Sequence, residues 1–169
     1  KYIMDLKNIQ RGRISMYVKK YPKAKFYSKK NPWSVPCHVA IPCATQNELT
    51  ESDAKVLIKN GLTTIGEGAN MPCTPEAIKA FKSNQILYAP GKASNAGGVA
   101  VSGLEMAQNS LRSTWSRDYV DGKLKDIMSE IHSSCLEYGK EKNHIDYLKG
   151  ANIAGFIKVA DAMLAQGVV

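Results

Sequence analysis

Hydrophobic positions in residues 1–96 alternate between short apolar runs and longer stretches with helical spacing. The apolar runs have the length of buried strands, and they span residues 35–41, 62–66 and 86–89. Helical spacing lies between them, at residues 51–60 and from Thr74 onwards. Strands separated by helices of about ten residues are typical of parallel βαβ units. The pattern therefore predicts an α/β fold built on a parallel sheet.

Capping signals mark both predicted helices. Thr50 and Asp53 have the spacing of a capping box, and Gly61 suits the left-handed position that follows a helix. Thr74 suits an N-cap, with Pro75 at the first helical position. Both helices should therefore begin directly after their threonine.

The hydrophobic pattern before the first of these βαβ units is simpler. Residues 8–21 place apolar side chains on one helical face, and Pro22 ends that run. Residues 25–27 are a short candidate strand. We therefore expect a helix over residues 8–21, followed by this candidate strand.

The pattern changes after residue 96, where three helical stretches follow without a strand pattern between them. They cover residues 97–115, 121–138 and 151–165. Each carries an apolar stripe that we assign to the core, and the stripes include Leu111, Ile127, Cys135, Phe156, Met163 and Leu164. The sequence thus divides into a sheet-forming part, residues 1–96, and a C-terminal helical segment, residues 97–169.

Three short strands are few for a doubly wound nucleotide-binding sheet, which usually has about five or six. The sequence contains no G-x-G-x-x-G turn. We therefore expect a partial Rossmann-type parallel sheet, with the first strands and the glycine-rich turn missing from this chain.

Composition excludes several classes of protein. The 169 residues carry a formal net charge of +8, and 44% are apolar, with no stretch near the roughly 20 uncharged residues of a membrane span. These values exclude a disordered chain and a membrane protein.

The four cysteines form no C-x-x-C pair and no secretory signal is seen, so we expect free thiols in the cytoplasm. Cys37-His38 is the only local pair of metal-ligating residues, so we expect no metal site.

The positive charge is concentrated at one end. Residues 1–30 contain ten basic residues and one acidic residue, whereas the rest of the chain is nearly balanced. The segment has two interpretations, an anion-binding patch or a solvated helix face. A basic nucleic-acid-binding module is a third alternative for the chain, but no binding motif and few interleaved aromatic residues support it.

Each main strand leads into a loop that contains an asparagine and small residues. Loop one is residues 42–47, loop two is residues 67–70 and loop three is residues 90–98. Ligands of open parallel sheets bind at the carboxyl ends of the strands, and an asparagine amide suits a carboxamide or ribose hydroxyls. The alternative is that these asparagines are turn residues that tolerate a left-handed backbone. The helix start at Gly97-Gly98 adds amides that favour a carboxylate or phosphate.

No nucleophile and base stand together in the sequence. His38 falls in a predicted strand, and His132 and His144 fall in the helical tail. Glu67 is the carboxylate nearest the predicted cleft. The chain therefore has the features of the cofactor half of a site whose acid–base groups lie elsewhere.

Four segments resemble motifs of glutamate dehydrogenases. Residues 41–49 are similar to their A-[LI]-P-C-A-T-Q-N-E-L segment, and residues 67–72 to E-G-A-N-M-P. Residues 90–109 are similar to P-G-K-A-x-N-A-G-G-V-x-x-S-G-L-E-M-x-Q-N, and residues 150–166 to the closing segment of the small-subunit hexameric class. N-A-G-G-V is shared with leucine and phenylalanine dehydrogenases, which remain the alternative enzymes, whereas E-G-A-N-M-P is specific to the glutamate enzymes. The sequence departs from the commoner Asp, Thr and Ala of the family at His38, Cys73 and Ser94.

The resemblance implies the C-terminal part of an oxidoreductase that reversibly deaminates L-glutamate to 2-oxoglutarate and ammonia. Hydride would pass to NADP, with NAD less expected. Residues 1–96 would form the later part of the dinucleotide-binding domain, and residues 97–169 would pack on that domain and its cleft. The catalytic Lys and Asp would lie outside this chain, so the chain alone would be inactive. The complete enzyme would be a cytoplasmic homo-hexamer.

The resemblance also implies cofactor contacts. Ala44, Thr45 and Gln46 would line the cofactor cleft. Asn70 would contact the nicotinamide ribose, and Asn95 would hold the carboxamide.

Further contacts are implied on the substrate side and at the basic end. Val99 and Ser102 would contact the glutamate side chain, with Ser102 donating to its γ-carboxylate. Lys7 and Arg13, together with Arg11, would select NADP through charge-assisted hydrogen bonds to its 2′-phosphate. The alternative interpretation, a solvated helix face, stays open for these three residues.

Overall fold

The computed structural model describes residues 1–167 and divides the chain into two compact units. The first unit is Lys1–Pro32, and the second begins at Trp33. Residues 168 and 169, the end of the predicted C-terminal segment, lie outside the described residues. The predicted boundary at residues 96–97 between a sheet-forming part and a helical segment stays a prediction.

The first unit consists of short helical pieces, so the prediction of one helix over residues 8–21 is wrong. The pieces are α1 (Tyr2–Met4), a π-helical turn (Asp5–Ile9), a 3₁₀ turn (Ile14–Met16) and α2 (Tyr17–Lys20). The chain turns between them because Arg11 has a φ of 53° and Arg13 is extended. Gly12 permits this turn, since a Cβ there would lie 2.6 Å from Cδ1 of the fully buried Leu6.

The candidate strand at residues 25–27 is also wrong. These residues are not in a strand, and Phe26 and Tyr27 are exposed. The three strands of the described sheet all belong to the second unit.

The second unit contains a parallel sheet, which confirms the predicted fold class. Its strands are β1 (Val39–Ala40), β2 (Thr64–Gly66) and β3 (Leu87–Ala89), in the order β1-β2-β3. Ile65 on the central strand lies opposite Ala40 on one side and Tyr88 on the other. The strands are shorter than the apolar runs that predicted them, and His38 precedes β1 instead of lying within it.

Two helices connect these strands, and their capping follows the sequence prediction. They are α3 (Glu51–Lys59) and α4 (Pro75–Ser83), which pack against each other. At α3 the Thr50 hydroxyl accepts from the Asp53 N–H, while the Asp53 carboxylate accepts from the Thr50 N–H at 3.0 Å. Thr74 accepts from the Ala77 N–H at the start of α4. The core lies between these helices and the sheet and includes Leu49, Ala54, Leu57, Ile65, Ala77 and Phe81.

Four helices complete the unit: α5 (Gly91–Ser94), α6 (Gly97–Ser110), α7 (Arg117–Gly139) and α8 (Tyr147–Gln166). α7 packs along α8 and against α6, and α8 also contacts β3. None of the helices in the described residues is long and apolar enough to cross a membrane.

The assignment of the late apolar stripes to the core is wrong in part. Cys135 is buried and Ile127 is half-buried, but Leu111, Phe156, Met163 and Leu164 are all exposed. Helical periodicity identifies which side of a helix is apolar, not what covers it.

Candidate functional site

Loops one, two and three meet at the carboxyl edge of the sheet around a cavity of about 1040 Å³. The lining residues are Cys43, Ala44, Thr45, Gln46, Gly68, Ala69, Asn70, Asn95, Gly98 and Val99. The structure thus brings together the three residues predicted in loop one with Asn70, Asn95 and Val99. Their individual roles stay predictions.

Backbone hydrogen bonds hold loop one against loop two. The Pro42 carbonyl accepts from the N–H groups of Gly68 and Ala69, each at 3.0 Å. The Asn47 N–H donates to the Met71 carbonyl at 2.9 Å. A Cβ on Gly68 would lie 2.5 Å from Cys43 Sγ, so a larger residue at position 68 would displace the Cys43 side chain. Backbone hydrogen bonds therefore set the spacing of the two loops along this wall of the cavity.

The asparagines of loops two and three form a pair. Asn95 Nδ2 donates to Asn70 Oδ1 at 2.8 Å and to the Ala69 carbonyl at 3.0 Å. These two bonds use both donors of that amide. No hydrogen bond among the described residues occupies Asn95 Oδ1 or Asn70 Nδ2. The pair therefore presents one acceptor oxygen and one donor NH₂ group at the cavity.

Asn47 of loop one behaves differently. Its φ of 54° places it in the left-handed region, and it does not line this cavity. The turn-residue alternative is therefore correct for Asn47, whereas Asn70 and Asn95 are not among the residues with positive φ.

Loop three is mostly helical. The short helix α5 leads directly into α6, which begins at Gly97 as predicted and has no side-chain cap. Lys92 points to α8, where its Nζ donates to Asn152 Oδ1 at 2.6 Å. Val99 on the first turn of α6 is exposed at the cavity, while Ser102 is exposed one turn further along and does not line it.

Glu67 is a buried carboxylate at the start of loop two, with 4% of its surface exposed. Its Oε2 accepts from the Gly91 N–H at 2.8 Å and its Oε1 from the Cys73 N–H at 3.3 Å. Burial, followed by the charge and hydrogen bonding of Glu67, raises the pKa of the Cys73 thiol and of the Tyr88 hydroxyl well above their ordinary values. Both groups are therefore neutral at physiological pH. Sequence reasoning identified Glu67 as the nearest carboxylate but missed these bonds, which join residues up to 24 positions apart.

The basic residues predicted to bind phosphate belong to the first unit. Lys7, Arg11 and Arg13 are all exposed, and Lys7 Nζ donates to the Gly12 carbonyl at 3.3 Å. Their proposed role in cofactor choice stays a prediction. Within residues 1–167, no group of three or more His, Cys, Asp or Glu is placed to hold a metal ion.

Comparison with known proteins gives relatives along the whole chain. Glutamate dehydrogenase of Bacteroides thetaiotaomicron is 56% identical over 169 residues, which cover 99% of this chain and 38% of that protein. An NAD-specific glutamate dehydrogenase of Porphyromonas gingivalis is 52% identical over 98% of this chain and 37% of its own length. An NADP-specific glutamate dehydrogenase of Salmonella typhimurium is also 52% identical, over 99% of this chain and 37% of its own length.

The fold is shared with a solved structure. The crystal structure of Plasmodium falciparum glutamate dehydrogenase matches with a TM-score of 0.92 and 51% identity, covering 99% of this chain and 36% of that one. The chain thus spans well under half the length of the relatives that it matches. A family model described as Glutamate/Leucine/Phenylalanine/Valine dehydrogenase matches residues 1–167, and the chain therefore belongs to that family.

Proposed function

We propose that this chain supplies the nicotinamide-cofactor and substrate-side-chain contacts of a glutamate dehydrogenase. The reaction is the reversible deamination of L-glutamate to 2-oxoglutarate and ammonia, with hydride transfer to the cofactor. The observation that carries the proposal is the Asn70–Asn95 amide pair, held by three loops at the sheet edge where α/β folds bind ligands. Relatives that are 56% identical along the chain carry the name of this enzyme.

The residues of the cavity fit a nicotinamide nucleotide. The acceptor left on Asn95 Oδ1 suits the carboxamide N–H, and the donor left on Asn70 Nδ2 suits a ribose hydroxyl. Ala44, Thr45 and Gln46 form the opposite loop of the same cavity. When bound, the cofactor supplies the hydride chemistry, while this chain binds and orients it.

The substrate contacts follow along α6. Val99 and Ser102 are one helical turn apart, so they share a face of the helix. Val99 packs against the methylene groups of glutamate, and the Ser102 hydroxyl donates to its γ-carboxylate. None of the described residues that line the cavity is a lysine or a carboxylate. We therefore propose that the acid–base groups come from the rest of the enzyme and that the chain alone is inactive.

NADP is the cofactor that we propose, with Lys7 and Arg13 holding its 2′-phosphate. The exposed positive side chains support this choice, whereas relatives named NAD-specific and NADP-specific are equally similar to the chain. We further propose a cytoplasmic homo-hexamer that binds neither nucleic acid nor membrane. The family resemblance supports the assembly, and the free cysteines fit a reducing compartment.

A fusion enzyme tests the proposal. It joins the N-terminal part of the Bacteroides thetaiotaomicron relative, which this chain does not cover, to residues 1–169. We expect it to oxidise NADPH in the presence of 2-oxoglutarate and ammonia. A folded fusion enzyme that uses the 2-oxo acid of leucine and not 2-oxoglutarate would contradict the glutamate assignment, as would one that uses neither.

Asn95→Ala in the fusion enzyme checks the amide pair. Loss of one or two hydrogen bonds, each contributing about 1 kcal/mol, should raise the cofactor KM about tenfold. Asn84→Ala is the matched control, because Asn84 follows α4 as its C-cap and its side chain donates only to the Ala80 carbonyl of that helix. Equal KM values for the two variants would contradict the assignment of Asn95.

A further inference from the structure

We propose that Glu67 is a positioning residue, whose buried carboxylate fixes loop three against loop two and so holds the Asn70–Asn95 pair in place. This inference rests on the proposed cofactor site. It concerns a residue that does not line the main cavity itself, although its backbone begins loop two.

The carboxylate bonds groups on both sides of the amide pair. Gly91, whose N–H donates to Oε2 at 2.8 Å, is the first residue of α5. Asn95 is the C-cap of this four-residue helix, so fixing Gly91 also fixes the position of Asn95. Oε1 accepts from the Cys73 N–H beyond loop two. One side chain therefore sets the separation of the two segments that carry the asparagines.

Close packing transmits this restraint directly. A Cβ on Gly91 would lie 3.3 Å from Glu67 Oε2, 3.2 Å from Asn95 Nδ2 and 3.1 Å from the Ala69 carbonyl oxygen. The space beside the Gly91 Cα is therefore bounded by the carboxylate, the Asn95 amide and the Ala69 carbonyl. A shift of the carboxylate would therefore displace Gly91 and, with it, the Asn95 amide.

A second bond from the same residue holds the other end of α5. The Ser94 hydroxyl donates to the Glu67 carbonyl oxygen at 2.6 Å. The backbone of Glu67 thus restrains the residue before Asn95, while its side chain restrains Gly91. Two independent contacts to the ends of one helical turn fix its orientation as well as its position.

Hydrogen-bond donors surround the Glu67 carboxylate. Besides the two backbone N–H groups, the Cys73 thiol and the Tyr88 hydroxyl interact with Glu67, and burial followed by the Glu67 charge raises the pKa of each, so both stay neutral. No ion pair in the described chain includes Glu67. A carboxylate accepts from four donors, whereas a glutamine side chain presents an NH₂ group to one of them. Glu67→Gln therefore preserves size and breaks the donor–acceptor match.

Direct measurement of cofactor binding by the fusion enzyme tests the inference, with NADPH fluorescence as the readout. We expect Glu67→Gln to raise the NADPH Kd about tenfold, with the far-ultraviolet circular dichroism and the 2-oxoglutarate KM unchanged. Ser94→Ala should raise the Kd by a smaller factor. Glu76→Gln is the matched control, because Glu76 is an exposed carboxylate in the first turn of α4.

A double-mutant cycle separates positioning from general stabilisation. If Glu67 acts through Asn95, Glu67→Gln should change the Kd less than twofold in an Asn95→Ala background. Full additivity would overturn the inference, and so would an unchanged Kd in folded Glu67→Gln. Absence of any NADPH or NADH binding by the parent fusion enzyme would overturn the proposed function as well, which distinguishes the two failures.

Discussion

Asp146 contacts several groups at the start of α8. Its Oδ1 accepts from the Lys149 N–H at 3.0 Å, and its Oδ2 pairs with Lys82 Nζ at 2.8 Å. Burial opposes the charged form, but the hydrogen bond and charge of Lys82 and the backbone N–H groups outweigh it and lower the pKa of Asp146. The side chain is only 14% exposed, so this pair is less screened by water than a surface ion pair.

A lowered pKa in the folded state makes the stabilisation by Asp146 dependent on pH. It is present above the unfolded pKa of about 3.9 and is lost as the pH falls through the folded value. We expect Asp146→Asn to lower the free energy of unfolding by about 1 kcal/mol at pH 7. The difference from the parent chain should shrink progressively below about pH 4. Urea unfolding of the 169-residue chain at a series of pH values measures this.

Asp126→Asn is the control for that measurement. Asp126 lies on α7 and is exposed, with no hydrogen bond or ion pair in the described structure. The Asp126→Asn substitution should change the free energy of unfolding by less than about 0.5 kcal/mol at any pH. A constant difference between Asp146→Asn and the parent down to about pH 3 would contradict the assigned linkage.

The asparagines of the three loops show how much of a binding site the sequence alone predicts. Three loops with asparagines at one sheet edge correctly predicted a shared cavity, because parallel strands end at the same edge. The sequence could not show that Asn47 is the turn residue. Its φ of 54° accompanies a backbone hydrogen bond to Met71, which lies in a different loop region. The hydrogen bonds of the Glu67 carboxylate could not be predicted either, because Gly91 is distant from Glu67 in the sequence.

Among the elements, helices α7 and α8 approach each other at two glycines. A Cβ on Gly150 would collide with the Cys135 carbonyl oxygen, and one on Gly139 would collide with that of Asp146. Both glycines are buried. The two helices are therefore in backbone contact, and α8 in turn packs against β3 and bonds Lys92 through Asn152.

This geometry predicts opposite effects for two alanine substitutions in α8. A methyl group added at Gly155 would have no atom within 4 Å other than its chain neighbours and the backbone of its own helix. Gly155→Ala should therefore stabilise the chain by up to about 1 kcal/mol through helix propensity. Gly150→Ala should destabilise it by about 2–3 kcal/mol, because the methyl group meets a carbonyl oxygen that side-chain motion cannot displace. Thermal and urea unfolding of the two variants provide the measurement, and effects of the same sign would contradict this account.

Elements with local signals were predicted well, and those that depend on distant contacts were not. α3 and α4 begin where their capping residues indicate, because the capping bonds lie within a few residues. Residues 8–21 have a helical pattern, yet the chain turns at Gly12, which packs on Leu6 outside that window. The strands begin later than their apolar runs, since pairing, and not apolarity, sets their length.

For the whole molecule, the outer helices expose a large apolar surface. Val99, Met106, Phe156 and Leu164 are each more than 70% exposed, whereas Phe81 in the core is fully buried. Phe156, Val159 and Met163 have helical spacing on one side of α8 and are all exposed. An exposed apolar patch of this kind usually marks a contact surface. The relatives are much longer than this chain. We therefore expect the exposed side of α8 to be covered in the fusion enzyme.

Paired measurements on the chain and the fusion enzyme test this expectation. In the 169-residue chain, Phe156→Ser with Leu164→Ser should reduce binding of a hydrophobic dye. The same pair should change the unfolding free energy by less than about 0.5 kcal/mol per site, because both side chains already face water. Phe81→Ala is the reference and should lower the free energy of unfolding by about 3–5 kcal/mol.

In the fusion enzyme the serine pair should lower the melting temperature or the oligomer size, since it places hydroxyls in a covered apolar contact. A serine pair that is neutral in both proteins would show that water faces this side of α8 throughout.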